Sequence, residues 1–101
     1  MAELALLVEL KAKPGMESEV EAFLKKEAAV ASGEPGTLTW CAAKDEGKPG
    51  VYAIFDTYDD EAGRQAHLNG EAGKELVAAV KAERLFAEAP KIYMFQVVAE
   101  K

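Results

Sequence analysis

One cysteine and one histidine in 101 residues exclude a good deal. Cys41 has no partner for an internal disulfide, and His67 has no second strong ligand one turn away, so no zinc-like cluster and no structural metal are expected. No Lys/Arg run exists, and the formal charge of −6 repels phosphate backbones, which argues against nucleic acid. The longest apolar run, LALLV, is too short to span a bilayer. The start also lacks a basic region followed by a cleavable apolar segment, so no membrane association and a cytoplasmic location are expected. No internal repeat, linker or low-complexity segment divides the chain, and one domain over 1–101 is the economical reading.

What is present is half hydrophobic and 30% charged, the balance of a globular domain. ELALLVELK (3–11), ended by Lys13-Pro14-Gly15, reads as a strand apolar on both faces. In MESEVEAFLKKEAAVASG, Val20, Phe23, Leu24, Ala28 and Ala31 recur at helical spacing; Glu17 or Ser18 is placed to cap the start and Gly33 to end it. Thr37 to Lys44 and Val51 to Tyr58 form a hairpin around a polar Gly/Pro loop. Asp59-Asp60 offers a cap for a helix from about Glu61. That helix breaks near Asn69-Gly70, resumes from Ala72 to Phe86, and is stopped before Pro90; KIYMFQVVAE is a last strand.

The order β-α-β-β-α-β is the split βαβ plan, an α+β ferredoxin-like fold with two helices on one face of a four-stranded antiparallel sheet. Val51, Ala53 and Phe55 alternate with Tyr52, Ile54 and Tyr58, and Ile92 and Met94 with Tyr93 and Phe95, so both sheet faces are apolar. No element remains to cover the second face. A homodimer, with a second copy of the sheet as cover, is therefore expected, enclosing space for a small aromatic molecule.

In order and spacing, LLVELKAKPG, EPGTLTW and FDTYDDEAGRQAHL resemble the antibiotic biosynthesis monooxygenase family of dimeric α/β-barrel proteins. The resemblance covers nearly the whole chain. It implies an oxidoreductase that oxidises a small quinol, anthrone or polyphenol with dioxygen and without a cofactor: removing a proton makes the ring electron-rich enough to give an electron to oxygen. Departures are Tyr58 where the family usually has tryptophan, and Asp56 where glutamate is commoner. Ile54, Ala43 and Arg64 fall where the anthrone-oxidising branch has its polar pocket residues and tyrosine, so that branch's site does not transfer. Val8 stands near the place of the asparagine needed by the haem-degrading branch. The quinol branch matches best around Ala66-His67-Leu68.

Two residues are candidate proton acceptors. His67 is the sole imidazole, a side chain whose reference pKa of about 6.5 suits acid–base work; it is either that base or an anchor bonded to a backbone carbonyl. Asp56 is either partly buried, with a raised pKa, or ends its strand in water. Trp40 and Tyr58 are candidates to orient a substrate ring, Trp40 alternatively serving as a wedge in a dimer contact. Tyr52 and Tyr93 have the strand positions of core or interface residues. Arg64 either binds an anionic substrate oxygen or pairs on the surface with Asp60 or Glu61 one turn earlier. Cys41 reads as an inert buried thiol. The competing functions are a small-molecule-binding dimer without chemistry and a non-oxidative lyase or isomerase on the same fold.

Overall fold

The computed structural model describes residues 2–101. Its elements are β1 (Leu4–Lys11), α1 (Glu17–Ser32), β2 (Thr37–Lys44), β3 (Val51–Tyr58), α2 (Glu61–Leu68), α3 (Glu71–Lys81) and β4 (Lys91–Gln96). The strands form one open antiparallel sheet in the order β2-β3-β1-β4, so the fold is α+β and ferredoxin-like. Among the described residues, no helix is long and apolar enough to cross a membrane.

Register decides which side chains meet. Leu6 pairs with Asp56, Val8 with Ile54 and Leu10 with Tyr52, and all of these point toward the helices because side chains alternate along a strand. Val20 and Leu24 of α1 pack on them with Leu85 and Phe86, forming the core. Tyr52 closes its edge by donating from its hydroxyl to Glu21 Oε2 at 2.7 Å. The opposite face carries the row Cys41, Phe55, Leu7 and Tyr93, with Phe95 one row along. Phe55, Tyr93 and Phe95 remain more than 40% exposed there. Cys41 is exposed on this face, which corrects the expectation of a buried thiol.

Three boundaries differ from expectation. The residue preceding α1 is Met16, without a side-chain cap, so neither Glu17 nor Ser18 caps. The last helix stops at Lys81, well before Pro90: Glu83 takes a φ of 55°, which breaks the helical path. Leu85 and Phe86 instead return to the sheet, where Phe86 bridges Ala12. β4 ends at Gln96, one backbone hydrogen bond short of its last contact with the β1 chain, from the Val97 N–H to the Glu3 carbonyl at 2.8 Å.

Candidate active site

Between the sheet and the helices lies a cavity of about 250 Å³. Its walls are mainly apolar, with Trp40 and Ile54 from the sheet and Phe23, Leu76 and Val80 from the helices. Four ionisable side chains interrupt them: Asp56 on the sheet wall, His67 from α2, Glu27 from α1 and Lys81 at the end of α3. The rim includes Val77 and Ile92, both about half exposed, through which a small molecule can enter. This volume accommodates a single substituted aromatic ring, near the lower end of the usual range for ligand sites.

Asp56 is 1% exposed, so the strand does not end in water at this point. Trp40 is its register partner on one side and Leu6 on the other, an apolar setting for a carboxylate. Burial pushes its pKa up to about 6; the charge of His67 and the nearby Tyr58 hydroxyl oppose the rise, and Glu34 adds to it. Neither carboxylate oxygen completes a well-formed hydrogen bond, and neither does the Tyr58 hydroxyl, although the phenol lies close enough to influence the carboxylate. His67 Nε2 stands 3.4 Å from Asp56 Oδ2.

The imidazole is placed by its own helix and by the turn leading into β2. Asp60 caps α2, its Oδ1 accepting from the Gly63 N–H at 2.9 Å. Gly63 lies against Gly36: a Cβ on Gly63 would come within 2.8 Å of the Gly36 carbonyl oxygen, so only glycine permits this approach. The close contact brings Glu34, two residues before Gly36, against His67, whose Nδ1 is 2.6 Å from Glu34 Oε1. Thr37 Oγ1 donates to the same oxygen at 3.0 Å. The anchor of His67 is therefore a carboxylate and not the backbone carbonyl expected from sequence. The Tyr58 ring lies 5.7 Å from the imidazole, centroid to centroid. Its hydroxyl is pushed far up in pKa by burial and by Asp56.

The structure thus brings Asp56, His67 and Trp40 to one cavity and sets Tyr58 behind them. Trp40 faces the helices and not the bare outer face, so it is no wedge for a contact made there. Arg64 lies outside the cavity. Its guanidinium grips Glu61 with two hydrogen bonds, at 2.7 and 3.2 Å, and Nη1 reaches the carbonyl oxygens of Ala5 and Phe95 at 3.4 Å. The expected ion pair is present, but Arg64 is 7% exposed and belongs to the interior seam between α2 and the sheet.

Two residues of the site were not anticipated. Glu34 was legible only as the acid of EPG. Glu27 is 3% exposed, both its carboxylate oxygens lack a well-formed hydrogen bond, and burial together with the neighbouring Glu75 carboxylate pushes its pKa up to about 8. It enters the cavity as a neutral acid at neutral pH. Among the described residues, no group of three His, Cys, Asp or Glu is arranged to hold a metal ion.

The family model described as antibiotic biosynthesis monooxygenase matches residues 4–79. No curated protein matches the chain. Among solved structures, a Nitrosomonas europaea protein of unknown function is 40% identical, with a TM-score of 0.91 over 100% of this chain and 94% of that one. A candidate antibiotic biosynthesis monooxygenase from Caulobacter crescentus is 25% identical, with a TM-score of 0.83 over 97% and 92% of the two chains. Another such candidate, from Deinococcus radiodurans, shares the fold at 18% identity and a TM-score of 0.84, over 97% and 95%. With its first three strands, α1, α2 and all but the last two residues of α3 inside the matched segment, the chain belongs to the antibiotic biosynthesis monooxygenase family.

Proposed function

We propose that the protein is a cofactor-independent monooxygenase acting on a small quinol, anthrone or polyphenol. The observation that carries this reading is a buried carboxylate, Asp56, facing His67 in the wall of an otherwise apolar, ring-sized cavity. A carboxylate with its pKa raised to about 6 is a stronger base than one in water and still largely ionised at pH 7.

The chemistry balances without a further reductant. Asp56 takes a proton from the substrate and leaves a carbanion or phenolate. This anion transfers one electron to dioxygen, and recombination of the radical pair forms a carbon–oxygen bond. Loss of the remaining proton at that carbon with cleavage of the O–O bond gives a carbonyl and hydroxide, which leaves as water. In an anthrone, a CH₂ group and O₂ have become C=O and H₂O; in a quinol or polyphenol, a ring C–H and a phenolic O–H supply the two hydrogens and the product is a quinone. Trp40 offers an aromatic face for the substrate ring, and the apolar walls favour delocalised over localised charge.

The active unit in this reading is a homodimer. Supporting it are the exposed Phe55 and Tyr93 on either side of the half-buried Leu7, and the exposure of every residue in β4. Two open sheets packed face to face would form the dimeric α/β barrel that the family resemblance implies.

A second reading, a dimer that binds a small aromatic without transforming it, is favoured by one feature: Glu34 holds His67 as an anchor would. Oxygen uptake with a panel of hydroquinones and anthrones in metal-free buffer separates the two. The oxygenase reading expects consumption above the uncatalysed rate, falling by roughly 10²-fold or more in Asp56→Asn. Binding of these compounds without oxygen consumption would establish the second reading instead.

A further inference from the structure

A proton removed inside this cavity has to leave it. Asp56 is 1% exposed and its direct surroundings are apolar, so the carboxyl cannot hand its proton to bulk water. His67 also lines a second, outer recess of about 440 Å³, bounded by Glu34, Pro35, Gly36 and Gly70. The imidazole is thus part of the wall between an inner and an outer space, with one nitrogen directed to a carboxylate on each side.

The two contacts fix the proton positions. Glu34 Oε1, which also accepts from Thr37, lies 2.6 Å from Nδ1, a distance that requires a proton on that nitrogen or on the acid. With Glu34 ionised and the ring neutral, Nε2 presents a lone pair to Asp56 Oδ2 at 3.4 Å. Two lone pairs facing each other in an apolar wall repel, so this pair readily takes up one proton delivered from the cavity, and either partner can then hold it. The other ionisable groups around the ring are Tyr58 from β3, Glu27 from α1 and Lys81 from α3 on the inner cavity, and Glu71 at the outer recess.

We propose that Asp56, His67 and Glu34 form a proton relay through the cavity wall, in which Glu34 is the outer positioning residue that exchanges protons with solvent. This rests on the monooxygenase reading for its substrate, but not for its geometry. In the outward direction the substrate's proton goes to Asp56 and then to Nε2, the Nδ1 proton moves to Glu34, and Glu34 releases it to water in the outer recess. No electrons change hands in these steps. The ring is left with its proton on Nε2, the reverse of its starting form. The second half of the reaction restores it: hydroxide leaving the O–O bond requires one proton, which returns from solvent through Glu34 and Nδ1, and the Nε2 proton moves inward. One proton out and one in match the net conversion of CH₂ and O₂ to C=O and H₂O.

Glu34→Gln preserves size and an acceptor for Nδ1–H but cannot carry a proton. It is expected to lower kcat by roughly 10²-fold, leave KM within about twofold, and enlarge the solvent deuterium isotope effect on kcat. In Glu34→Ala, added formate should restore part of kcat through the open recess. Unchanged kcat and isotope effect in Glu34→Gln would overturn the relay.

A second arm needs no turnover. His67 is the only histidine, so its ring resonances are identifiable without site-specific labelling. The wild-type ring should titrate in two coupled steps shared with Asp56; Asp56→Asn should reduce these to one, and Glu34→Gln should redistribute the proton between the two nitrogens. One and the same single-step titration in all three proteins would overturn the relay whatever the substrate. Coupled titration without oxygen consumption would overturn only the monooxygenase reading. Should Glu34→Gln fail to fold, Thr37→Val, which frees the Glu34 carboxylate on one side, is expected to show the same shifts in smaller measure, and no shift there would count against the relay.

Discussion

Replacing Glu27 by Gln should change how stability depends on pH, with little effect at acid pH. Glu27 lies on the inner face of α1, buried to 3% exposure with no well-formed hydrogen bond to either oxygen. Its pKa rises from 4.5 to about 8, first because burial disfavours the charge and then because Glu75 lies beside it. A folded-state pKa above the unfolded one means that the native protein binds the extra proton. Stability is therefore full below about pH 4.5 and declines as pH rises through 8. At about 1.36 kcal/mol per pH unit the displacement gives an upper bound of ~5 kcal/mol. Water reaching the carboxyl through the cavity reduces this, and ~2–3 kcal/mol is the working figure. Gln resembles the neutral acid and has no proton to lose. Urea denaturation at pH 5, 7 and 9 should then show nearly equal stabilities at pH 5, a clear advantage for Glu27→Gln by pH 7, and little further growth above about pH 8. In a domain of this size that advantage at pH 9 corresponds to a Tm difference of roughly 10–15 °C. Parallel pH curves for the two proteins would show that Glu27 is ionised or solvated in the folded state and refute the reasoning.

Asp56→Asn should lower oxygen uptake by roughly 10²-fold or more and yet stabilise the fold at pH 7 by ~1–2 kcal/mol, because a carboxylate whose pKa is raised to about 6 destabilises the native state once ionised; a chemical-denaturation midpoint lower than wild type would contradict this. Gly63→Ala forces a Cβ to within 2.8 Å of the Gly36 carbonyl, so denaturation should show a loss of ~1–3 kcal/mol, and the His67 ring resonances should shift as Glu34 is displaced. Phe95→Asp places a charge on the bare sheet face, where each aromatic ring contributes ~2 kcal/mol on burial; sedimentation velocity should show a dimer converted to monomer, and an unaltered sedimentation coefficient would remove this face from the interface.

Local chemistry made the strands legible. Thr37 to Lys44 and Val51 to Tyr58 coincide with β2 and β3, because β-branched and aromatic residues are bounded on both sides by Gly, Pro and Asp. The helix ending at Lys81 was not legible, since Leu85 and Phe86 continue an apolar spacing that is helical in pattern but is used by the sheet. Asp56 stood out as a carboxylate among apolar strand neighbours, and His67 as the sole imidazole. Their meeting depends on how α2 lies over β3, which no local pattern encodes. Glu27 carried a readable signal: it falls four residues after Phe23 and seven after Val20, on the apolar stripe of α1, where a charge is out of place. Glu34 carried almost none, because its contact with His67 is made by the approach of Gly36 to Gly63, two glycines far apart in the chain.

The central claim is that the cavity removes a proton from a bound phenol by way of Asp56. It is tested most directly by the absorbance of 4-nitrophenol, whose neutral and ionised forms differ in colour, bound to wild type and to Asp56→Asn across a pH series. The wild-type protein should bind it with the ionised fraction raised relative to free dye at the same pH, and Asp56→Asn should remove that excess. No binding at millimolar dye, or a bound phenol equally ionised in both proteins, would contradict it.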